Sequence, residues 1–106
     1  MRGKILVIEP KAAIRNMVES LLKEQGLEVV SLEQSHKAID WLSLSTVDLV
    51  VLDFSLTDPG IFESCHKIRQ MEDHRTTPII VLLTLEECQD EEMLKRAGAN
   101  HFVVKP

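Results

Sequence analysis

The segment DLVVLD at residues 48–53 is the strongest indication of the fold of this chain. Its four consecutive apolar residues stand between two acids, a pattern typical of a short strand that is buried on both faces. Similar runs occur at Ile5–Ile8, Ile79–Leu83 and His101–Val104, and a weaker one at Leu27–Ser31. The sequence therefore predicts five strands of the kind found in a parallel sheet covered on both sides.

The segments between these runs have the apolar spacing of amphipathic helices. The clearest is Ala13–Glu24, where apolar residues recur three and four positions apart and Gly26 follows as a C-terminal cap. Three further helices are predicted over Ser35–Leu44, Ile61–Met71 and Glu87–Ala97. Alternation of strands and helices, with right-handed crossovers, predicts an α/β fold built on a doubly wound parallel sheet.

Composition narrows the classes of function. The 106 residues are enough for one domain, and a hydrophobic content of 44% can build one core. The net charge of -5 argues against a nucleic-acid surface, which needs basic residues to neutralise phosphates. Cys65 and Cys88 are too few for a disulfide framework or a zinc cluster. We expect a cytoplasmic domain, since no secretory signal or membrane span is apparent.

The sequence ends at Lys105-Pro106, where a fifth helix is expected to begin. A doubly wound sheet needs helices on both faces, and four helices leave one place uncovered. We therefore interpret residues 1–106 as one domain that is truncated after its fifth strand. Apolar surface should then be exposed beside the first helix, and the chain could associate with itself.

Charged residues follow three of the predicted strands. Glu9 ends the first, Asp53 ends the third and Lys105 ends the fifth. Because the carboxyl ends of parallel strands lie at one edge of the sheet, where ligands bind, these three side chains should converge. The alternative is that each charge only marks the point where the chain meets solvent. A buried charge is costly unless it is paired or functional, so three together favour a functional site.

Motifs along the whole chain resemble the receiver domain of two-component response regulators. The segments that carry the resemblance, with their spacing, are Lys4–Glu9, Asp48–Asp53, Pro78–Leu82, Ala97–Ala99 and Lys105–Pro106. It implies a flavodoxin-like sheet of order 2-1-3-4-5, of which chemotaxis receivers are an example. It also implies a signalling module, not an enzyme, that receives a phosphoryl group from a sensor histidine kinase or a phosphotransfer protein.

The resemblance implies roles for five residues. Asp53 is the phosphoacceptor, and Lys105 pairs with the phosphoryl group. Glu9, Asp53 and the backbone carbonyl of Ser55 are the ligands of Mg²⁺, which such phosphoryl transfer requires. Phe102 is the aromatic residue that changes rotamer on activation. The peptide bond between Lys105 and the proline after it is implied to be cis.

The same site departs from the family pattern. Pro10 removes the second acid that usually follows the first strand, which predicts a weak Mg²⁺ site, although proline also suits the start of a helix. Leu83 stands where a Thr or Ser usually senses the phosphoryl group. Thr84 follows it and should point to the other face unless a bulge turns it inward. Lys11 stands where an acid is common, and the loop Phe54–Gly60 has an unusual sequence.

Two functions stay open at this point. The first is a phosphoaccepting receiver with an impaired metal site and switch, and the second is a pseudo-receiver that binds a partner or dimerises without phosphorylation. A homodimer would use the fourth helix and the fifth strand. A flavin- or nucleotide-binding enzyme is disfavoured because no phosphate-binding loop follows the first strand. The four histidines, which have no metal-ligand spacing, are interpreted as surface residues: His36, His66, His74 and His101.

Overall fold

The computed structural model describes residues 3–105 and contains one parallel sheet of five strands in the order β2-β1-β3-β4-β5. This confirms the predicted flavodoxin-like order. Each predicted strand is present, with the second shifted by one residue. The strands are β1 Lys4–Ile8, β2 Glu28–Leu32, β3 Leu49–Asp53, β4 Ile79–Leu83 and β5 His101–Val104.

Four α-helices and two 3₁₀ helices connect the strands. The second α-helix ends two residues before the predicted Leu44, and the predicted fourth helix is wrong in its first part, which is 3₁₀. A short 3₁₀ helix before β4 was not predicted. The helices are α1 Ala12–Glu24, α2 Ser35–Leu42, α3 Ile61–Gln70, a 3₁₀ helix at Glu72–His74, a second at Glu86–Asp90, and α4 Glu91–Ala97.

Glycines end the first and last α-helices. Gly26 has a φ of 82° and Gly98 a φ of 119°, the left-handed region in which glycine avoids the steric cost of a side chain. At Gly98 a side chain would also collide with Arg69, since an added Cβ would lie 2.5 Å from its Cγ. Arg69 donates to the carbonyl oxygen of Gly98 from Nε at 3.0 Å and Nη2 at 2.8 Å. This contact fastens α3 to the end of α4.

The prediction that all four histidines lie at the surface is wrong for His74. Its ring is fully buried, and Nε2 lies 3.3 Å from the carbonyl oxygen of Leu42 and 3.0 Å from that of Ser45. Because carbonyl oxygens only accept, Nε2 carries a proton, and Nδ1 forms a hydrogen bond with the Thr77 hydroxyl at 3.1 Å. His74 is therefore a structural residue that satisfies the end of α2. The three exposed histidines are His36, His66 and His101.

The two faces of the sheet are covered unequally. The main core lies between the sheet and α2, α3 and α4, whereas a smaller apolar cluster lies on the face of α1. No residue of α1 is fully buried, and Met17, Leu21 and Val103 are 42%, 55% and 48% exposed. This confirms the expected apolar surface beside the first helix. None of the helices within residues 3–105 is both long and apolar enough to cross a membrane.

Candidate functional site

The carboxyl ends of β1, β3 and β5 bring three charged residues together, as predicted. Asp53, the last residue of β3, is fully buried, and so is Glu9 directly after β1. Nζ of Lys105 lies 2.6 Å from Oδ2 of Asp53. The backbone N–H of Lys105 donates to the carbonyl oxygen of Leu83 at 2.8 Å, which continues the sheet pairing and fixes the position of the lysine. The site is thus built on the three strand ends.

Ser55 makes the second set of contacts with Asp53. Its backbone N–H donates to Oδ1 of Asp53 at 2.7 Å, and its hydroxyl donates to the same oxygen at 2.6 Å. Oδ2 contacts the Lys105 ammonium at 2.6 Å and is otherwise without a hydrogen-bond partner within residues 3–105. The family resemblance predicts a role for the carbonyl of Ser55 but none for its hydroxyl. The spacing Asp-x-Ser, which favours such a local turn, was the available signal.

Glu9 has one satisfied and one unsatisfied carboxylate oxygen. Oε2 accepts from the backbone N–H of Lys11 at 3.0 Å. Oε1 is buried and has no hydrogen-bond partner among the described residues. Arg15 holds the backbone nearby, since Nη1 donates to the carbonyl oxygen of Glu9 at 2.9 Å. A buried carboxylate oxygen without a partner is costly, and either a proton or a cation would relieve that cost.

The two carboxyl groups have opposite pKa shifts. Burial raises the pKa of Glu9 to about 7, and the neighbouring Asp53 carboxylate adds to the rise. Burial also acts to raise the pKa of Asp53, but its interactions with Glu9, Lys105 and Ser55 outweigh burial and hold that pKa below its usual value. The raised pKa of Glu9 and the lowered pKa of Asp53 place the proton of the pair on Glu9. Asp53 is therefore the charged member near neutral pH.

These residues offer an incomplete set of ligands for a divalent cation. The unpartnered Oε1 of Glu9, the carboxylate of Asp53 and the carbonyl of Ser55 are hard oxygen donors, which Mg²⁺ prefers. Residues 3–105 nevertheless contain no group of three or more His, Cys, Asp or Glu placed to hold a metal. Pro10, which stands where a further acid would be, is exposed and precedes Lys11, the N-cap of α1. It therefore lies outside the first helical turn, where a helix-starting proline would be expected.

The end of β4 is apolar toward the core and capped toward solvent. Leu83 is fully buried in the main core. Thr84 is exposed, and its N–H donates to Oε1 of Glu87 at 2.8 Å while the N–H of Glu87 donates to the Thr84 hydroxyl at 3.3 Å. This reciprocal pair is a capping box at the start of the second 3₁₀ helix. The alternative in which a bulge turns Thr84 inward is therefore not found.

The remaining predicted residues lie around this edge of the sheet. Phe102 is half-buried against the main core and pairs in register with Val81. Lys11 and Lys105 both line an open groove of about 460 Å³. The predicted cis peptide bond after Lys105 involves Pro106, which lies outside the described residues.

Comparisons with known proteins agree with this architecture. The family model of the response regulator receiver domain matches residues 5–106. The phosphate regulon transcriptional regulatory protein PhoB of Escherichia coli K12 is 28% identical over 106 residues, which are 100% of this chain and 46% of PhoB. The chain spans less than half the length of the curated relatives that it matches first.

Solved structures show the same fold. The chemotaxis response regulator CheY4 of Vibrio cholerae has a TM-score of 0.94 at 25% identity, covering 100% of this chain and 88% of that one. The receiver domain of a sensor histidine kinase from Pseudomonas aeruginosa has a TM-score of 0.90 at 24% identity, covering 100% and 87%, and holds a magnesium ion in its active-site cleft.

Domains of this kind act in two-component signalling, and they interact with sensor histidine kinases or phosphotransfer proteins. The match covers nearly the whole chain, and the sheet order agrees with it. This chain belongs to the response regulator receiver domain family.

Proposed function

We propose that Asp53 accepts a phosphoryl group from the histidine of a sensor kinase or phosphotransfer protein, and that the usual hydroxyl switch at the end of β4 is absent. The observation that carries this proposal is the environment of Asp53. The Asp53 side chain is fully buried and is held in the charged form, and its Oδ2 lies 2.6 Å from the Lys105 ammonium. A buried carboxylate with these partners is suited to be a nucleophile.

The transfer would proceed by attack of the Asp53 carboxylate on phosphorus. The bond between phosphorus and the donor's histidine nitrogen breaks, its electron pair stays on the imidazole, and a bond from Asp53 to phosphorus forms. The imidazole then takes a proton from solvent. Lys105 neutralises charge on the phosphoryl oxygens, and positioning supplies most of the remaining rate enhancement.

Magnesium would be held by Glu9, Asp53 and the carbonyl of Ser55, and when bound it supplies charge neutralisation at the phosphoryl oxygens. The orphaned oxygen of Glu9 supports this assignment. Two carboxylates are a small set for this ion, and one of them has a pKa of about 7. We therefore expect weak binding of Mg²⁺ near neutral pH, measurable by titration of the protein with the metal alone.

A second candidate function is a pseudo-receiver, a binding module that works without phosphorylation. The contacts of the β4 end favour it, because the Leu83 side chain offers no hydrogen bond and the Thr84 hydroxyl is engaged with Glu87. In that case Asp53 and Lys105 would be kept as a structural ion pair. The two functions differ in whether Asp53 is ever modified.

The partner surface in either case would be α4 and β5, which could also form a homodimer. β5 is the edge strand of the sheet, and Met93, Val103 and Val104 are exposed there. We place the domain, residues 1–106, in the cytoplasm with protein partners rather than nucleic acid or membrane. Sedimentation of the wild type and of Val104→Glu would test the dimer, which the added charge should weaken.

The deciding experiment is intact-mass measurement after treatment with a small-molecule phosphodonor and Mg²⁺. Asp58→Asn is the matched control, because Asp58 lies in the loop after β3 with a φ of 56°, which asparagine also tolerates. A gain of one phosphoryl group in the wild type and Asp58→Asn, but not in Asp53→Asn, supports the receiver. No gain, while an ordinary receiver labels in parallel, favours the pseudo-receiver.

A further inference from the structure

We propose that Arg15 is a positioning residue of the site. It holds the turn between β1 and α1 so that the Glu9 carboxylate is placed to bind a divalent cation. Arg15 belongs to α1, and it acts through the backbone of Glu9 rather than by contact with the cation. This inference rests on the proposed function, in which Glu9 is a ligand of Mg²⁺.

The guanidinium group of Arg15 links α1 to the ends of two neighbouring strands. Nη1 donates to the carbonyl oxygen of Glu9 at 2.9 Å and, more weakly, to that of Pro10 at 3.4 Å. The same nitrogen lies 4.0 Å from Oε2 of Glu33, which follows β2. The Arg15 side chain is only 19% exposed, so it lies against the protein and does not extend into solvent.

The backbone of this turn leaves both carbonyl oxygens without a donor. The N–H of Glu9 pairs with the carbonyl oxygen of Leu32 at 3.0 Å, and Pro10 has no N–H. The hydrogen bonds of α1 begin only at Lys11, whose carbonyl oxygen accepts the N–H of Arg15 at 2.9 Å. Among the described residues, no backbone N–H donates to the carbonyl oxygen of Glu9 or Pro10. Arg15 therefore supplies hydrogen bonds that the backbone leaves unmade.

The Glu9 carboxylate is anchored to the same turn. Oε2 accepts the N–H of Lys11 at 3.0 Å, whereas the buried Oε1 has no hydrogen-bond partner in the part of the chain that the structure describes. Movement of the turn would move the N–H that fixes the carboxylate, and with it the oxygen that is free to bind a cation. Because a buried oxygen without a partner is costly, a loosened turn would let Oε1 rotate toward water. Arg15 keeps Oε1 in the site by holding the turn.

Charge and positioning predict opposite effects of removing Arg15. The guanidinium group is a cation and repels a second cation, so its loss through charge alone would make Mg²⁺ bind more tightly. Loss of positioning would make Mg²⁺ bind more weakly, because residues that orient metal ligands commonly contribute about ten-fold or more to affinity. The sign of the change in affinity therefore separates the two roles.

The experiment titrates the wild type, Arg15→Met, Arg15→Lys and Glu33→Gln with Mg²⁺ alone and follows the amide resonances by NMR. Arg15→Met keeps an unbranched side chain but has no donor, and we expect its affinity for Mg²⁺ to fall about ten-fold. Arg15→Lys keeps a donor and should bind Mg²⁺ nearly as tightly as the wild type. Glu33→Gln is the matched control, because it removes the ion pair at 4.0 Å and leaves both carbonyl contacts in place.

The amide of Lys11 reports the state of the turn without any metal. Its N–H is bonded to Oε2 of Glu9, so hydrogen exchange at this amide should be faster in Arg15→Met than in the wild type. Arg15→Lys should restore the slower exchange. All four proteins should melt at similar temperatures, which separates a local change in the turn from a loss of global stability.

The outcomes separate this inference from the proposed function. Equal or tighter binding of Mg²⁺ in Arg15→Met, or unchanged exchange at Lys11, would overturn the inference and leave the proposed function standing. An equal loss of affinity in Glu33→Gln would also overturn it, because the ion pair would then be the cause. If the wild type neither binds Mg²⁺ nor labels at Asp53 where an ordinary receiver does both, the proposed function fails, and the inference fails with it.

Discussion

The ends of β3 and β4 are neighbours in the sheet, yet they have opposite character. At the end of β3, Asp53 is buried among polar partners that hold it in the charged form. At the end of β4, Leu83 fills the core and Thr84 is engaged in a cap on the solvent side. The two strands pair in register with Asp53 opposite Leu82. The polar surroundings of Asp53 and the apolar surroundings of Leu83 therefore lie on adjacent strands.

Under the proposed function, this difference would make accepting a phosphoryl group and responding to it separable properties of the fold. An acceptor needs a nucleophile, a cation and orientation, and we propose that Asp53, Lys105 and Ser55 supply them. A response at β4 needs a polar group that gains a partner when the phosphoryl group arrives, and a leucine side chain has none. We therefore expect substitutions at the two strand ends to have different effects on labelling.

The largest combined effect is expected at the acceptor end from Lys105→Ala. Removing one partner of a buried ion pair leaves an uncompensated charge, so we expect a loss of about 3 kcal/mol in the free energy of unfolding. Labelling of Asp53 should fall strongly as well. Urea unfolding and intact-mass measurement would check the two effects. Lys95→Ala, which breaks an exposed pair with Glu92 at 3.7 Å, should cost less than about 1 kcal/mol.

At the other strand end, Leu83→Ala should reduce stability but not labelling. Truncating a fully buried leucine costs about 2–5 kcal/mol, because packing is lost and a cavity remains. The volume-conserving change Leu83→Met should cost less than about 1.5 kcal/mol. The initial labelling rate at a temperature where both variants are folded is the decisive comparison. A labelling rate in Leu83→Ala far below that of Leu83→Met would contradict the proposal that the end of β4 does not affect labelling at the end of β3.

A smaller effect is expected from the cap. Thr84→Ala should lower the free energy of unfolding by about 1 kcal/mol, because the hydroxyl no longer accepts the N–H of Glu87. Thr84→Ala combined with Glu87→Ala should cost less than the sum of the two single changes, since the two residues cap each other. A fully additive double variant in urea unfolding would mean that the capping box is not formed in solution.

A change of pH is the mildest perturbation, and it acts through Glu9. Its pKa is about 7 in the folded chain and 4.5 by its ordinary value, so the folded state holds this proton more tightly. The contribution of the Glu9 proton to the free energy of unfolding is therefore complete below pH 4.5 and is lost as the pH rises through 7. Asp53 has the opposite shift, so its contribution is lost only as the pH falls below 3.8 through its lowered pKa.

Between pH 4.5 and pH 7, the free energy of unfolding therefore changes through Glu9 and not through Asp53. In Glu9→Gln the group cannot ionise, and its contribution should be constant across this window. Free energies of unfolding at pH 5 and pH 8 should show a larger loss in the wild type than in Glu9→Gln. Parallel changes in the two proteins would show that Glu9 is not the group that titrates.

Most of the fold could be predicted because its signals are local. Buried parallel strands have continuous apolar runs, and glycine marked the ends of α1 and α4 at Gly26 and Gly98. The convergence of Glu9, Asp53 and Lys105 followed from the rule that parallel strands end at one edge. The positions of the helix ends were predicted less accurately, because 3₁₀ turns such as Glu86–Asp90 differ little in sequence from α-helix.

What could not be predicted depends on contacts between distant segments. The burial of His74 is compensated by carbonyl oxygens of Leu42 and Ser45, about thirty residues away, and no local pattern indicates such partners. The Thr84–Glu87 cap was different, because its T-x-x-E spacing is a recognisable helix-start signal. It was missed since Thr84 was considered only as a substitute for the switch. The roles assigned to the site residues stay predictions until labelling is measured.

The proposal that phosphorylation at Asp53 leaves the end of β4 unchanged is tested most directly by amide NMR. The spectra of the protein with and without phosphorylation at Asp53 would be compared. We expect resonances to change at the ends of β1, β3 and β5, around Glu9, Ser55 and Lys105, while those of residues 84–97 change little. Large changes throughout the β4 end, the second 3₁₀ helix and α4, absent in Asp53→Asn, would contradict it. Such changes would show that the signal passes through β4 without the usual hydroxyl.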